Sequence, residues 1–544
     1  MKTTTVVDHD VSAKNTARGK RVWFRSDLLG SRCGVKFGDK FRVIHQKNRI
    51  RMVKDPEGTL SVTMSRGKLS FDLHNKKVAE SFSDNVLRVF IEVSLHEVVI
   101  CLRRTDERIQ ARIAAFKERM EKKEKLLLGD LCSGIGGLAY SIVSGFNKVG
   151  QGIRCAFAVD HHHETMEASA FSNPVYDDTT TIMSCSLEQA PLDLMPQLDI
   201  LITGLSCKGA SKQARTGKTV SLPEFHEEAG WLVMTLPTII QKTNPLVFIL
   251  ENVLEWFDTA SCHILKELMT RLGYTHKEVT LKGNDFGAIE GRVRGSLVFT
   301  TVGIDIDLEL PVPVPCVTTV ADIMEPQENL PPIPSSFEEK DFKGSGWYPK
   351  ARLLEREEEK KAAGKGHRAK IAKPNDTRIT TITASYGKGV RLDETVVESS
   401  CGQWLRLLTK VEHARAKSLP IELTENLAKT NAHKALGNSV EKNCFEWLGV
   451  RAAMSVNEFF TNLPHEEQFE ATIVSLSLKE SNASALRSKQ GLKTYYIIVE
   501  MSDGMIFRHK KQCPEEKLPE AKRFMKKIQE AGVINNEYWV ELAA

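Results

Sequence analysis

Two residues in this chain stand where covalent chemistry is feasible. In "DILITGLSCKGASKQA" (residues 199–214) an apolar run, Ile200, Leu201 and Ile202, gives way to Gly204, and Cys207 follows beside Lys208 in a loop of small residues. A cysteine is by default a small buried side chain. Just past a strand, free backbone N–H groups and an adjacent lysine favour its thiolate, which is the nucleophilic form. The next apolar run, "PLVFILENV" (residues 245–253), ends in Glu251 and brings a carboxylic acid to the same rim. A lone glutamate there is usually a helix cap. A thiol and a carboxylic acid facing one pocket suit covalent attack on a ring activated by protonation.

A second cluster precedes them. "DLCSGIGGL" (residues 130–138) places Gly134, Gly136 and Gly137 between an apolar run and a helical segment, where the backbone can approach a ligand and a helix N-terminus offers free N–H groups. The following run, "IRCAFAVD", ends in Asp160, whose carboxylate can accept hydrogen bonds from ribose hydroxyls. Together they suggest a nucleoside-type cofactor.

These residues need a scaffold that lines them up. "KLLLGDLCSG", "IRCAFAVD", "LDILITG" and "PLVFILENV" are short, apolar and separated by helical segments. Buried strands alternating with helices predict an α/β fold, a doubly wound, mostly parallel sheet of Rossmann-like type that binds ligands at the strands' carboxyl ends.

Bulk composition sets outer limits. The 544 residues are enough for several domains, and 41% hydrophobic with 27% charged residues is ordinary globular composition. A net charge of +5, from 75 basic and 70 acidic residues, does not by itself imply nucleic-acid binding. The 11 cysteines include no C-x-x-C pair, so neither a disulfide framework nor a cysteine-based zinc site is expected, and the pattern fits a reducing compartment. No signal peptide or bilayer-spanning run is read, so the expectation is a cytoplasmic protein with no membrane and no metal.

The order and spacing of these motifs resemble the DNA cytosine-5 methyltransferase family, in particular its phage and prophage branch, from residue 126 to about 460. "DLCSGIGG" resembles the family's cofactor loop and Asp160 its ribose-binding acid. "GLSCKGAS" resembles the nucleophile loop, "ENV" the acid motif and "EGRVRGSLV" (residues 290–298) the paired-arginine motif. "RLLTKVEHARAKSLP" (residues 406–420) and "ALGNSV" (residues 435–440) follow in the family's order.

The resemblance implies transfer of a methyl group from S-adenosyl-L-methionine to carbon 5 of a cytosine flipped out of double-stranded DNA. It implies Cys207 as nucleophile, Glu251 as the acid at ring N3, and Arg292 and Arg294 orienting the base and its phosphate. Cys132, Ser133, Gly134, Ile135, Gly136 and Gly137 would cradle the cofactor's methionine end. Asp160 would hold the ribose, with His161 and Leu232 on the two sides of the adenine and Ser186 near its amino group. Asn438 and Ser439 would close the pocket. A monomer is expected.

Several positions depart from the family pattern. Ser206-Cys207-Lys208 replaces Pro-Cys-Gln, Cys132 stands for a phenylalanine and Ser186 for an aspartate. Glu290 replaces a glutamine, with the expectation of added negative charge near DNA.

The remaining chain divides into further domains. Residues 1–103 read as a small β domain with a weak internal repeat, "FGDKFRVIHQKNRIRMV" (residues 37–53) against "FSDNVLRVFIEVSLHEVVI" (residues 82–100). That pattern resembles the swapped-hairpin barrels of AbrB-type DNA-binding proteins; an unrelated small β domain is the other reading. Residues 104–125 predict a solvated, charged connector helix with one apolar stripe, Ile109, Ile113, Phe116 and Met120 at helical spacing, and 126–303 the catalytic domain. Residues 304–403 occupy the place of the target-recognition region, with "GKGHRAKIAK" (residues 364–373) as a candidate phosphate contact and "TITASYGKG" (residues 381–389) expected near DNA. Residues 404–463 return to the catalytic domain, and 464–544 predict an α+β appendix with a hairpin at Asp503-Gly504, a helix over 514–532 and a last apolar run, "YWVEL". Two other functions stay open: an RNA cytosine-5 methyltransferase, and a catalytically silent DNA-binding regulator.

Overall fold

In the computed structural model the described residues are 11–16, 19–31, 33–82, 86–94, 97–205, 232–463, 473–480, 492–501 and 506–514. They fall into two units, Met1–Thr461 and Asn462–Ala544.

The first unit begins with an antiparallel sheet of β1 (Val11–Thr16), β2 (Gly19–Arg25), β3 (Lys40–Gln46), β4 (Arg49–Lys54), β5 (Leu60–Ser61), β6 (Thr63–Ser65), β7 (Lys68–Asn75), β8 (Arg88–Val93) and β9 (Glu97–Cys101), in the order β5-β3-β4-β9-β8-β1-β2-β7-β6. The two similar sequence segments each form a hairpin, β3-β4 and β8-β9, and the hairpins join through β4 and β9. Alternating residues turn inward, and Phe24 and Phe41 pack on Phe71 with ring centroids 5.2 and 5.1 Å apart.

Helix Arg104–Glu121 leads to the catalytic domain. Phe116 of its apolar stripe is buried as expected, but the charged side is not all solvated, because Arg112 is docked as well. Arg112 is buried, its guanidinium 3.9 Å over the Tyr274 ring, and it donates to Asn244 Oδ1 at 3.1 Å and to the Leu272 carbonyl at 2.9 Å. A fork of five N–H donors can satisfy several acceptors at once, which is how so polar a side chain is accommodated here. Phe116 lies between Phe459 and Phe460, and Arg119 sits 3.3 Å from Asp199.

The central sheet consists of β10 (Leu126–Leu131), β11 (Ile153–Asp160), β12 (Thr181–Ser184), β13 (Ile200–Gly204), β14 (Val247–Asn252), β15 (Tyr274–Lys282) and β16 (Val293–Thr301), in the order β12-β11-β10-β13-β14-β16-β15. The first five are parallel, and β16 runs antiparallel between β14 and β15. Every residue of β14 is buried, the continuous burial of a strand covered on both faces. From β10 the chain winds outward to β12 and then returns to β13 on the other side of β10. Strand order therefore switches between β10 and β13, the place where open sheets of this kind take ligands at their carboxyl ends.

A third sheet, β17 (Trp347–Pro349), β18 (Lys370–Ala372), β19 (Thr395–Glu398) and β20 (Trp404–Arg406), is ordered β17-β20-β19-β18 and lies mostly within residues 304–403, expected from the sequence as the recognition region. Its last strand lies past the boundary drawn at residue 403, because Trp404 and Leu405 are buried and β20 pairs with β17 and β19.

In the second unit β21 (Ile473–Glu480), β22 (Leu492–Met501) and β23 (Ile506–Pro514) pair antiparallel in chain order. β22 and β23 flank Asp503-Gly504. That turn, the helix expected over 514–532 and "YWVEL" lie outside the described residues.

Candidate active site

The glycine loop leaves β10 at the switch point and turns sharply. Cys132, Gly134 and Gly136 take positive φ values of 52, 54 and 72°. At Gly136 a Cβ would run into Asn173 Nδ2 and Tyr176 Oη, and at Gly137 into Ser439 Oγ; beside Gly134 there is open space. The helix Gly137–Lys148 then starts with its N–H groups toward the loop. Ser133 N–H donates to the Val159 carbonyl at 3.1 Å, and Ile135 is buried. Asp160, at the end of β11, accepts from the N–H groups of Gly134 and His162, each at 2.9 Å, so one carboxylate fixes both loops. Such a cradle, with a carboxylate at its side and the buried Ser439 Oγ lacking a hydrogen-bond partner, fits a nucleoside cofactor with a charged tail.

The other expected cofactor residues surround this loop unevenly. His161 is exposed, its ring 4.1 Å from that of His162 and its Nδ1 3.4 Å from Asp160 Oδ1. Ser186 is half-buried ahead of the short turn Leu187–Gln189, and Leu232 opens helix Leu232–Thr243 against the sheet's core. Asn438 is exposed at the end of helix Lys429–Asn438.

At the second strand end, Gly204 of β13 pairs in register with Glu251 of β14. Cys207 lies outside the described residues, three positions past Gly204. The Asn252 side chain donates to the Leu205 carbonyl at 3.3 Å and ties β14 to the segment that leads to the cysteine. Glu251 is 7% exposed. Burial raises its carboxyl above the usual range, while Arg294 and Arg292 pull the other way; Arg294 Nε is 2.9 Å from Oε1. The result is a carboxyl group that holds its proton more readily than a free glutamate.

Arg292 is 2% exposed and donates to the Gly437 carbonyl at 3.0 Å, so it is a buried strut and not a surface charge. Glu290 corrects a sequence expectation. Its side chain does not add charge to a DNA-facing surface but is wholly buried, 2.7 Å from Lys417 Nζ. Burial, with Arg292 nearby, brings the Lys417 ammonium down to about 7. Segment 381–389 docks on the same loop: Ile382 N–H donates to Glu290 Oε1 at 2.8 Å, and the buried Tyr386 donates to the Thr395 carbonyl at 2.5 Å. Below it, His413 and His433 meet through their Nδ1 atoms at 3.0 Å.

Sequence reasoning missed several contributors. Asp130 is buried beneath the glycine loop, hydrogen-bonded to Tyr176 at 2.8 Å, and burial pushes its carboxyl up to about 7. Asn173 donates to the Ile135 carbonyl at 3.0 Å. Both partners come from beyond helix His163–Ser172, and no local motif marks them. Among the described residues no group of three or more His, Cys, Asp or Glu is placed to hold a metal, and no helix is long and apolar enough to cross a membrane.

Comparison with known proteins supplies the family. Type II methyltransferase M1.ScrFI of Lactococcus lactis subsp. cremoris is 26% identical over 334 residues, covering 60% of this chain and 77% of that one. Type II methyltransferase M.HpaII of Haemophilus parainfluenzae is 25% identical over 339 residues, covering 58% and 86%. Among solved structures, the S. pombe Dnmt2 methyltransferase aligns with a TM-score of 0.44 at 15% identity, over 62% of this chain and 99% of that one. The model of the C-5 cytosine-specific DNA methylase family matches residues 127–451, more than half of the 544. The chain belongs to that family.

Proposed function

We propose that this enzyme methylates carbon 5 of a cytosine flipped out of duplex DNA, with Cys207 as nucleophile and Glu251 as acid. The observation that carries the reading is Glu251: a buried carboxyl of raised proton affinity, held by Arg294 and in register with the strand that leads to Cys207. Carbon 5 of cytosine is too weak a nucleophile to take a methyl group unaided. Attack of the Cys207 thiolate on carbon 6 forms a C–S bond and moves electron density to carbon 5. Glu251, keeping its proton, hydrogen-bonds ring N3 and stabilises the charge that gathers there. Once carbon 5 has taken up the methyl group that the cofactor would supply, loss of the carbon 5 proton to water and departure of the thiolate from carbon 6 restore the ring.

S-adenosyl-L-methionine, the cofactor of this family, supplies an electrophilic methyl group when bound. Cys132 to Gly137 would hold its methionine end and Asp160 its ribose. His161, Ser186 and Leu232 would surround the adenine, and Asn438 and Ser439 would close the site. Arg294 keeps Glu251 in place, and Arg292 fixes the strand that carries Arg294. The relatives named type II methyltransferases support a role in modification that protects DNA from restriction.

The test is a nucleoside digest of DNA from cells expressing the protein, read by mass spectrometry beside Cys207→Ala. New 5-methylcytosine that disappears in the variant is expected. Methylated cytosine in RNA alone would overturn the DNA assignment, and cofactor binding without any methyl mark would leave a silent DNA-binding protein.

A further inference from the structure

A carboxylate stands at Glu290 where the family resemblance leads one to expect a neutral amide, and the structure supplies the partner that makes this tolerable. We propose that Glu290 and Lys417 act as one positioning unit that holds Arg292 and the recognition-region segment 379–389 in fixed register against the catalytic rim; this rests on the methyl-transfer reading above.

Both side chains are fully buried and 2.7 Å apart. The second Glu290 oxygen accepts from Ile382 N–H at 2.8 Å and lies 3.9 Å from Arg292 Nη1. Around it the backbones interlock: Ile379 N–H donates to the Ile289 carbonyl at 2.8 Å, and Gly291 N–H to the Ile379 carbonyl at 2.9 Å. Lys417 is itself fixed, with its N–H on the Ala414 carbonyl at 3.0 Å and its carbonyl accepting from Lys442 N–H at 3.1 Å. Gly437, whose carbonyl receives Arg292, leaves no room for a Cβ against Thr383 and Ala384 of the same recognition segment. One carboxylate therefore joins the loop before β16, the recognition region and the helix Lys410–Ala416 that precedes Lys417.

Neither charge is tolerable there alone. A glutamine at 290 could still accept from Ile382 N–H, but it would leave the buried Lys417 amine without its counter-charge, driven to give up its proton and the contact with it. A glutamine at 417 would leave a buried carboxylate without its nearest cation. Removing one member of a buried pair is much more damaging than replacing both. The effect should reach catalysis because Arg292 lies two residues from Arg294, which holds Glu251.

The experiment is a double-mutant cycle on the full chain with Glu290→Gln, Lys417→Gln and the two together, measuring kcat, KM for S-adenosyl-L-methionine, KM for DNA, and melting temperature. Each single variant is expected to lower kcat roughly tenfold, a coupling usual for contacting buried groups. KM for the cofactor should be unchanged, and the double variant should recover most of the lost kcat. Losses that simply multiply in the double variant would overturn the proposal, as would singles that lower melting temperature and leave kcat intact. Should a single variant fail to fold, an active double variant supports the pair and an unfolded or inactive one sinks it. A wild-type chain that transfers no methyl group overturns the functional reading and the positioning role with it; multiplicative losses in an active enzyme overturn the pair alone.

Discussion

At the scale of single residues, the acid at the end of β14 and the glycines after β10 make the sharpest claims. Burial raises the Glu251 carboxyl above its ordinary range against the pull of Arg294 and Arg292. If the protonated form is the one that serves ring N3, kcat/KM should fall as pH rises through that raised value, and Glu251→Gln should lower kcat by roughly 10²–10⁴-fold. Linkage has the same sign: a carboxyl that binds its proton more tightly when folded stabilises the chain at low pH, a contribution lost as pH rises through the folded value. A flat alkaline limb in the wild type would remove Glu251 from the acid's role. Gly136 makes a different claim. With φ at 72° and Asn173 and Tyr176 in the way of any Cβ, Gly136→Ala should cost on the order of 3 kcal/mol. It should also weaken S-adenosyl-L-methionine binding by calorimetry, whereas normal melting and binding would show that the loop can yield.

At the scale of elements, the connector helix carries a prediction that its sequence hides. Arg112 bonds Asn244 and the Leu272 carbonyl beneath the sheet, far along the strands from their carboxyl ends. Arg112→Ala should therefore lower stability by about 2–4 kcal/mol, the worth of two charged hydrogen bonds less the cost of burying the group. Folded protein should keep its kcat, and an unchanged denaturation midpoint would mean that the helix is held by its other contacts, Phe116 on Phe459 and Phe460 and Arg119 on Asp199. This element shows what a sequence can and cannot disclose. β13 and β14 were legible as continuous apolar runs because a strand covered on both faces has no polar side to display. The glycine loop was legible because its turn needs positive φ. Arg112 was read as solvated because charge usually is, and only tertiary acceptors reverse that. Glu290 and Lys417 are 127 residues apart, so no local pattern pairs them. That the third sheet runs on past residue 403 was hidden for the same reason: β20 is three residues long and is defined by its partners β17 and β19.

At the scale of the whole molecule, the candidate residues and the buried cores that carry them lie in the first unit. The family match ends at residue 451, inside helix Lys442–Asn462. That helix belongs to the catalytic domain in its packing. Phe445, Leu448, Ala452 and Val456 are buried, and Glu446 accepts from Ser144 at 2.6 Å and lies beside Lys148 and Lys442. Against the cost of burial, these cations and hydrogen bonds bring the Glu446 carboxyl down to about 2, so the contact stays charged through neutral and mildly acidic pH. Two truncations should consequently differ in kind. A chain ending at residue 463 keeps the helix and should fold and transfer methyl groups with the kcat of the full chain. A chain ending at 441 removes an apolar face from helix Gly137–Lys148, where Gly145 approaches the backbone of Glu446 and Val450, and should not fold cooperatively. Melting curves and methyl transfer on both chains decide the matter. If the 463 chain melts normally yet has lost kcat, residues 464–544 take part in the reaction; if it has lost only affinity for DNA, they form part of the path by which the substrate is held.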